Sequence, residues 1–113
     1  QPIEDFDIGD KKQMASFIAK VPKDRAEKLL RSAEDNLKTK MEDLWSGVNN
    51  SDVEAIKLAS HTIRGSSGSL YAMRVSEIAR IIQEEYQDID KVRSLMPLID
   101  DAATETIRWW KSI

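Results

Sequence analysis

The chain holds one histidine, His61, and it stands in the run His61-Thr62-Ile63-Arg64-Gly65-Ser66-Ser67-Gly68-Ser69-Leu70. At about 3.6 residues per helical turn, Ile56, Ala59, Ile63 and Leu70 gather on one side of this segment. His61 falls on roughly the opposite side, along one strip with Lys57, Arg64, Gly65 and Gly68. An interior glycine costs a helix about 1 kcal/mol relative to alanine. Two of them beside a polar-face imidazole imply that something bulky must approach the ring. A neutral imidazole is a nitrogen nucleophile, and a guanidinium one turn away suits phosphoryl oxygens. The pattern therefore points to phosphate chemistry before it points to packing.

Composition narrows the alternatives. The 113 residues suit one domain, and 41% hydrophobic with 33% charged residues is the balance of a folded soluble chain. Cysteine is absent, which excludes disulfides, thiolate catalysis and cysteine zinc sites. A single histidine excludes a multi-histidine metal site within one chain. The net charge of -3 argues against nucleic-acid binding. No apolar run approaches the ~18 residues of a membrane span, and no signal peptide opens the chain. A cytoplasmic location is expected. The start at Gln1 suggests a module excised from a longer polypeptide.

Five helices and no strand are expected. Asp10 to Gln13 has capping-box spacing and leads into Met14, Phe17, Ile18 and Val21, before Pro22 interrupts. Ala26, Leu30, Ala33, Leu37, Met41, Leu44 and Val48 then step by three and four along one long helix. Gly47 and Asn49-Asn50 read as its stop signals. Ser51 to Glu54 reads as the capping box that opens the His61 helix. Val75, Ile78, Ile82 and Tyr86 mark a fourth buried face, and Asp88-Ile89-Asp90 a turn and cap. The last stripe runs Val92, Leu95, Ile99, Ala102, Thr106, Trp109 and Ile113, which leaves Trp110 at an edge or against the first helix. Pro97 either starts that helix late or kinks it. The expected fold is all-α, an antiparallel up-down four-helix bundle with an additional short N-terminal helix. Residues 1–9 read as a poorly ordered, linker-like lead, and residues 10–113 as the domain.

The segment from His61 to Leu70 resembles the histidine-containing phosphotransfer (HPt) domain. That signature is a histidine, two residues, Lys or Arg, Gly and a small residue, then more small residues and an apolar one. Here these are His61, Arg64, Gly65, Ser66, Ser67, Gly68 and Leu70. The preceding Ala59-Ser60 and the helix order also fit. The resemblance implies a phosphorelay carrier that accepts a phosphoryl group from a receiver-domain aspartate onto His61 and passes it to another. It further implies receiver partners, no cofactor of its own, and Mg²⁺ on the receiver. A hybrid sensor kinase would be the parent chain. The family often brings a glutamine to the histidine from the next helix, and Gln83 stands at the matching distance. Its carbonyl oxygen is expected to accept the ring N–H, with Arg64 stabilising phosphoryl charge. Lys57, Gly65, Gly68 and Tyr71 are the expected docking residues. Tyr71 departs from the family, which usually has glycine there.

Blander readings stand beside these. Gly65 and Gly68 could serve close helix packing, although they lie opposite the apolar stripe. Gln83 could be an ordinary surface amide, and Lys57 a solvated charge. As a whole the chain could be a helical adaptor that is never phosphorylated. A histidine-kinase dimerisation domain fits less well, because that family places an acidic residue where Thr62 stands. The chain shows no Gly-x-x-x-x-Gly-Lys loop or other nucleotide-binding signature, so a carrier that does not itself use ATP is expected. The apolar stripes can close within one bundle, so a monomer is expected.

Overall fold

The computed structural model describes residues 2–113; Gln1, and with it the first position of the expected lead, lies outside the described residues. Five α-helices follow a single 3-10 turn at Ile3–Asp5: α1 (Lys11–Lys20), α2 (Lys23–Asn49), α3 (Val53–Gly68), α4 (Met73–Glu84) and α5 (Ile89–Lys111). Among the described residues there is no strand, only an isolated bridge between Gly9 and Ala72. Helices α2 to α5 pack in a closed ring, each against its two neighbours. Short turns at 50–52, 69–72 and 85–88 join them. No described helix is long and apolar enough to cross a membrane.

The apolar stripes close the bundle as their spacing requires. Leu30, Leu37, Leu44 and Val48 of α2 meet Ile56 and Ile63 of α3, Val75, Ile78 and Ile82 of α4, and Val92, Met96 and Ile99 of α5 in one core. Helix α5 runs unbroken through Pro97, which is exposed. Its ring supplies no N–H to the preceding turn, and on a solvent-facing strip water can serve the freed carbonyl. Tyr86 lies past the end of α4 and is half-buried.

Four local expectations need correcting. Gly47 is not a stop: α2 continues to Asn49, and a Cβ at Gly47 would meet the Ile56 side chain at 3.1 Å and its backbone nitrogen at 3.2 Å. Glycine there lets α2 and α3 approach closely. The cap of α3 is Asp52, whose carboxylate accepts from the Ala55 N–H at 3.1 Å. Ser51 instead occupies the turn with φ 50°. At α1 the expected cap Asp10 accepts from the Gln13 N–H at 3.1 Å. The Gln13 side chain reaches the Asp10 carboxylate, because the Asp10 N–H already donates to the Tyr71 carbonyl at 2.9 Å. Residues 2–9 are not a loose lead. The Ile8 carbonyl accepts from the Met73 N–H at 2.9 Å, Arg74 donates to the Phe6 carbonyl at 2.8 Å, and Gly9 is buried under the Trp109 ring.

The fourth correction concerns the end of α5. Trp110 is 1% exposed within the core, Trp109 is half-buried, and Ile113 is exposed. After Thr106 the register steps by four, not three.

Among the described residues one acid is buried, and it stands in the apolar register of α2, between Leu30 and Leu37. Glu34 on α2 is 6% exposed and is ringed by Lys38 at 2.9 Å, Arg31 at 3.1 Å and Lys111 at 3.6 Å. The hydrogen bond from Lys38 holds its carboxyl below the usual carboxylate range, against the upward pull of desolvation. A depressed folded-state pKa gives stability that is present above the unfolded value of ~4.3 and is lost as pH falls through the folded one. Glu34→Gln should therefore be less stable than the parent at pH 7. The gap between their urea midpoints should close as pH falls below about 4.

Candidate functional site

Helix α3 carries His61 at mid-length on its exposed face, while Ile56, Ala59, Ser60, Ile63 and Ser67 turn inward. From the end of α4, Gln83 reaches across to it. Gln83 Nε2 lies 3.1 Å from His61 Nδ1, and no described group bonds Nε2 of the ring. The expected glutamine contact is present, but with the amide reversed. The carbonyl oxygen Oε1 faces Arg64, whose guanidinium donates to it at a long 3.5 Å. The reason is electrostatic: the opposite amide orientation would set an NH₂ group against a cation.

Beside the ring is an open hollow of about 560 Å³ lined by Glu54, Lys57, Leu58, His61 and Gln83. Lys57 is not merely solvated. Its ammonium lies 5.2 Å from the centroid of the Tyr86 ring, a cation–π distance. Leu58 is 68% exposed. Sequence reasoning passed over Leu58, Glu54 and the Tyr86 partner. The signal for Leu58 was available: a leucine off the Ile56–Ala59–Ile63 stripe, one turn before the histidine, cannot be core.

The two glycines separate in role. A Cβ at Gly65 would meet nothing within 4 Å, so this strip of α3 is open. A Cβ at Gly68 would lie 3.2 Å from Ser76 Oγ on α4. Ser76 in turn donates to the Arg64 carbonyl at 2.9 Å. Gly68 thus serves the close packing of α3 on α4 that its position on the helical wheel argued against. Tyr71 is not gathered with the histidine. It sits in the α3–α4 turn with φ 65°, its ring 6.2 Å from that of Phe17 on α1. A positive φ explains why glycine suits that position; here an aromatic residue takes it, its ring tilted by 59° against that of Phe17.

The hydroxyls around His61 are committed elsewhere. Thr62 donates to the Leu58 carbonyl, Ser66 to that of Thr62, Ser69 to that of Ser66, and Ser60 to that of Ile56. Ser67 is buried with no partner among the described residues. On this face Nε2 of His61 is left without a hydrogen-bond partner among the described residues.

Residues 20–109 match the Hpt domain family. The chain belongs to that family. Among solved structures, the Hpt domain described here is similar to histidine-containing phosphotransfer protein B (HptB) from Pseudomonas aeruginosa PAO1. The two share 16% identity over 93% of this chain and 92% of that one, with a TM-score of 0.84, and at that identity the likeness concerns the fold. No curated protein sequence matches at a significant level. The function of this Hpt domain is histidine phosphotransfer in phosphorelay signalling, and its partners are receiver domains.

Proposed function

We propose that His61 is the phosphoacceptor and that its Nε2 is the atom that carries the phosphoryl group. The observation that carries this reading is the single exposed imidazole, held at Nδ1 by Gln83 and open at Nε2. In the forward step the Nε2 lone pair attacks phosphorus in the receiver's aspartyl phosphate. An N–P bond forms as the P–O bond to the aspartate breaks, and the carboxylate leaves. With hydrogen on Nδ1 the ring needs to release no proton. The reverse sequence donates the group to another receiver.

Arg64, one turn beyond His61, supplies charge-assisted hydrogen bonds to the phosphoryl oxygens, and Gln83 fixes the ring plane. Phosphoryl transfer of this kind is mostly positioning and electrostatics, and the receiver brings Mg²⁺ for its own acyl phosphate. Lys57, Leu58 and Gly65 form the face on which the receiver lands, with Leu58 as its apolar element. Gly68 and Tyr71 act beneath and beyond this face, through the α3–α4 turn. The domain is a monomeric cytoplasmic carrier that uses no ATP and works as a module of a hybrid sensor kinase.

The test is to incubate the purified domain with phosphorylated receivers and Mg²⁺, without ATP, and follow label onto it. Uptake from at least one receiver is expected. Failure with every receiver, from a folded domain, would return the adaptor reading. The open strip at Gly65 gives a sharper outcome. Gly65→Gln should raise stability by up to about 1 kcal/mol through helix propensity. A side chain in the landing zone should nonetheless slow transfer by roughly 100-fold through misplacement of the reacting groups. Denaturation midpoints and transfer rates measured on one preparation check both halves.

A further inference from the structure

We infer that Arg64 sets the tautomer of His61 through Gln83, keeping the resting ring with its hydrogen on Nε2 until a phosphoryl group draws the guanidinium away. The inference rests on the reading of His61 as phosphoacceptor and concerns how that site is held between transfers.

Two contacts carry the argument. The Arg64 guanidinium faces Gln83 Oε1 at 3.5 Å, and Gln83 Nε2 faces His61 Nδ1 at 3.1 Å. An amide nitrogen only donates, so Nδ1 must be the acceptor and carry no hydrogen. A neutral imidazole has one hydrogen, which is then on Nε2. The neighbouring charges do not compete for Gln83. Arg80 is occupied by Glu77 at 2.7 Å and Glu84 at 2.7 Å, and Lys57 rests over Tyr86. Among the described side chains, Arg64 has Gln83 as its hydrogen-bond partner.

This tautomer is the unproductive one for attack from Nε2, because the lone pair needed there is tied up in the N–H bond. A docked phosphoryl group is a stronger acceptor for the guanidinium than an amide carbonyl. Once Arg64 turns to it, nothing holds Oε1 outward. The amide can then rotate and accept from Nδ1–H. The proton leaves Nε2 to water and another enters Nδ1 from water, to which the exposed ring is open. Arg64 is thus a positioning residue for the ring as well as a phosphoryl contact. The site becomes nucleophilic when its substrate is present.

Long-range ¹⁵N–¹H NMR of the unphosphorylated domain, at a pH where the imidazole is neutral, reads this directly. It needs no receiver, so its failure is distinct from failure of the phosphoacceptor reading. The resting domain should show a pyridine-type Nδ1 and a pyrrole-type Nε2. Arg64→Met, which keeps length and removes the donors, should shift population toward the Nδ1–H form. Gln83→Glu, which can only accept, should exchange the two signal types outright. A resting ring already in the Nδ1–H form would overturn the inference. So would an Arg64→Met ring, in a domain with unchanged helicity, whose tautomer ratio equals the parent's.

Discussion

His61→Gln is expected to fold as the parent does and to take up no phosphoryl group from any receiver. The side chain is exposed on α3, away from the Ile56–Ile63 stripe, and exposed substitutions of this kind change stability by only about 0.5 kcal/mol. Nothing nearby can substitute for the imidazole. The hydroxyls of Thr62, Ser66 and Ser69 each donate back to a carbonyl of their own segment. None has a neighbouring base to remove its proton, and a neutral hydroxyl is a weak nucleophile without one. Loss of label should therefore be complete, with matched circular dichroism and denaturation midpoint. Residual label in the variant would place the acceptor elsewhere.

The largest effect on stability is expected from Trp110→Ala. The indole is 1% exposed, and truncating a buried tryptophan costs about 3–5 kcal/mol through lost transfer energy and the remaining cavity. Domains of this size hold only about 5–15 kcal/mol in total, so the variant should unfold at a much lower urea concentration. Trp109→Ala should cost less, because that ring is half-exposed and covers chiefly Gly9. Urea midpoints of the two variants decide the order. The reverse order would restore the register in which Trp109 is the core residue. Trp110 Nε1 has no hydrogen-bond partner among the described residues. Trp110→Phe should then lose less than its volume suggests, since the unpaired donor goes with the ring.

This pair also marks what could be read in the sequence. The stripes of α2, α3 and α4 were legible because each keeps one period and one buried partner face. At Thr106 the steps of three and four are equally helical. The choice is made by the N-terminal segment, whose Gly9 takes up Trp109 on the outside of the bundle. That segment is itself held by backbone hydrogen bonds from Met73 and by the Arg74 side chain, which no side-chain pattern announces. Gly47 looked like a stop because glycine often ends helices. Its real constraint, the approach of Ile56, is tertiary.

At the site, His61 and Arg64 stood out by residue type and spacing, whereas Gln83 was implied only by the resemblance to Hpt domains. The orientation of the Gln83 amide was not legible, because it depends on which donor faces it across the α3–α4 interface. The ion-pair partners of Glu34 were hidden for a similar reason. The place of this acid between Leu30 and Leu37 puts it on the inward face of α2, but the contact that Lys111 of α5 adds to Arg31 and Lys38 at its carboxylate is tertiary.

The most direct test of the account is the bond itself. The ¹⁵N-labelled domain, phosphorylated by a receiver, should show ³¹P–¹⁵N coupling at His61 Nε2, with Nδ1 bearing the hydrogen. A phosphoryl group that couples to no ring nitrogen, or that survives acid as a seryl or threonyl ester, would contradict it.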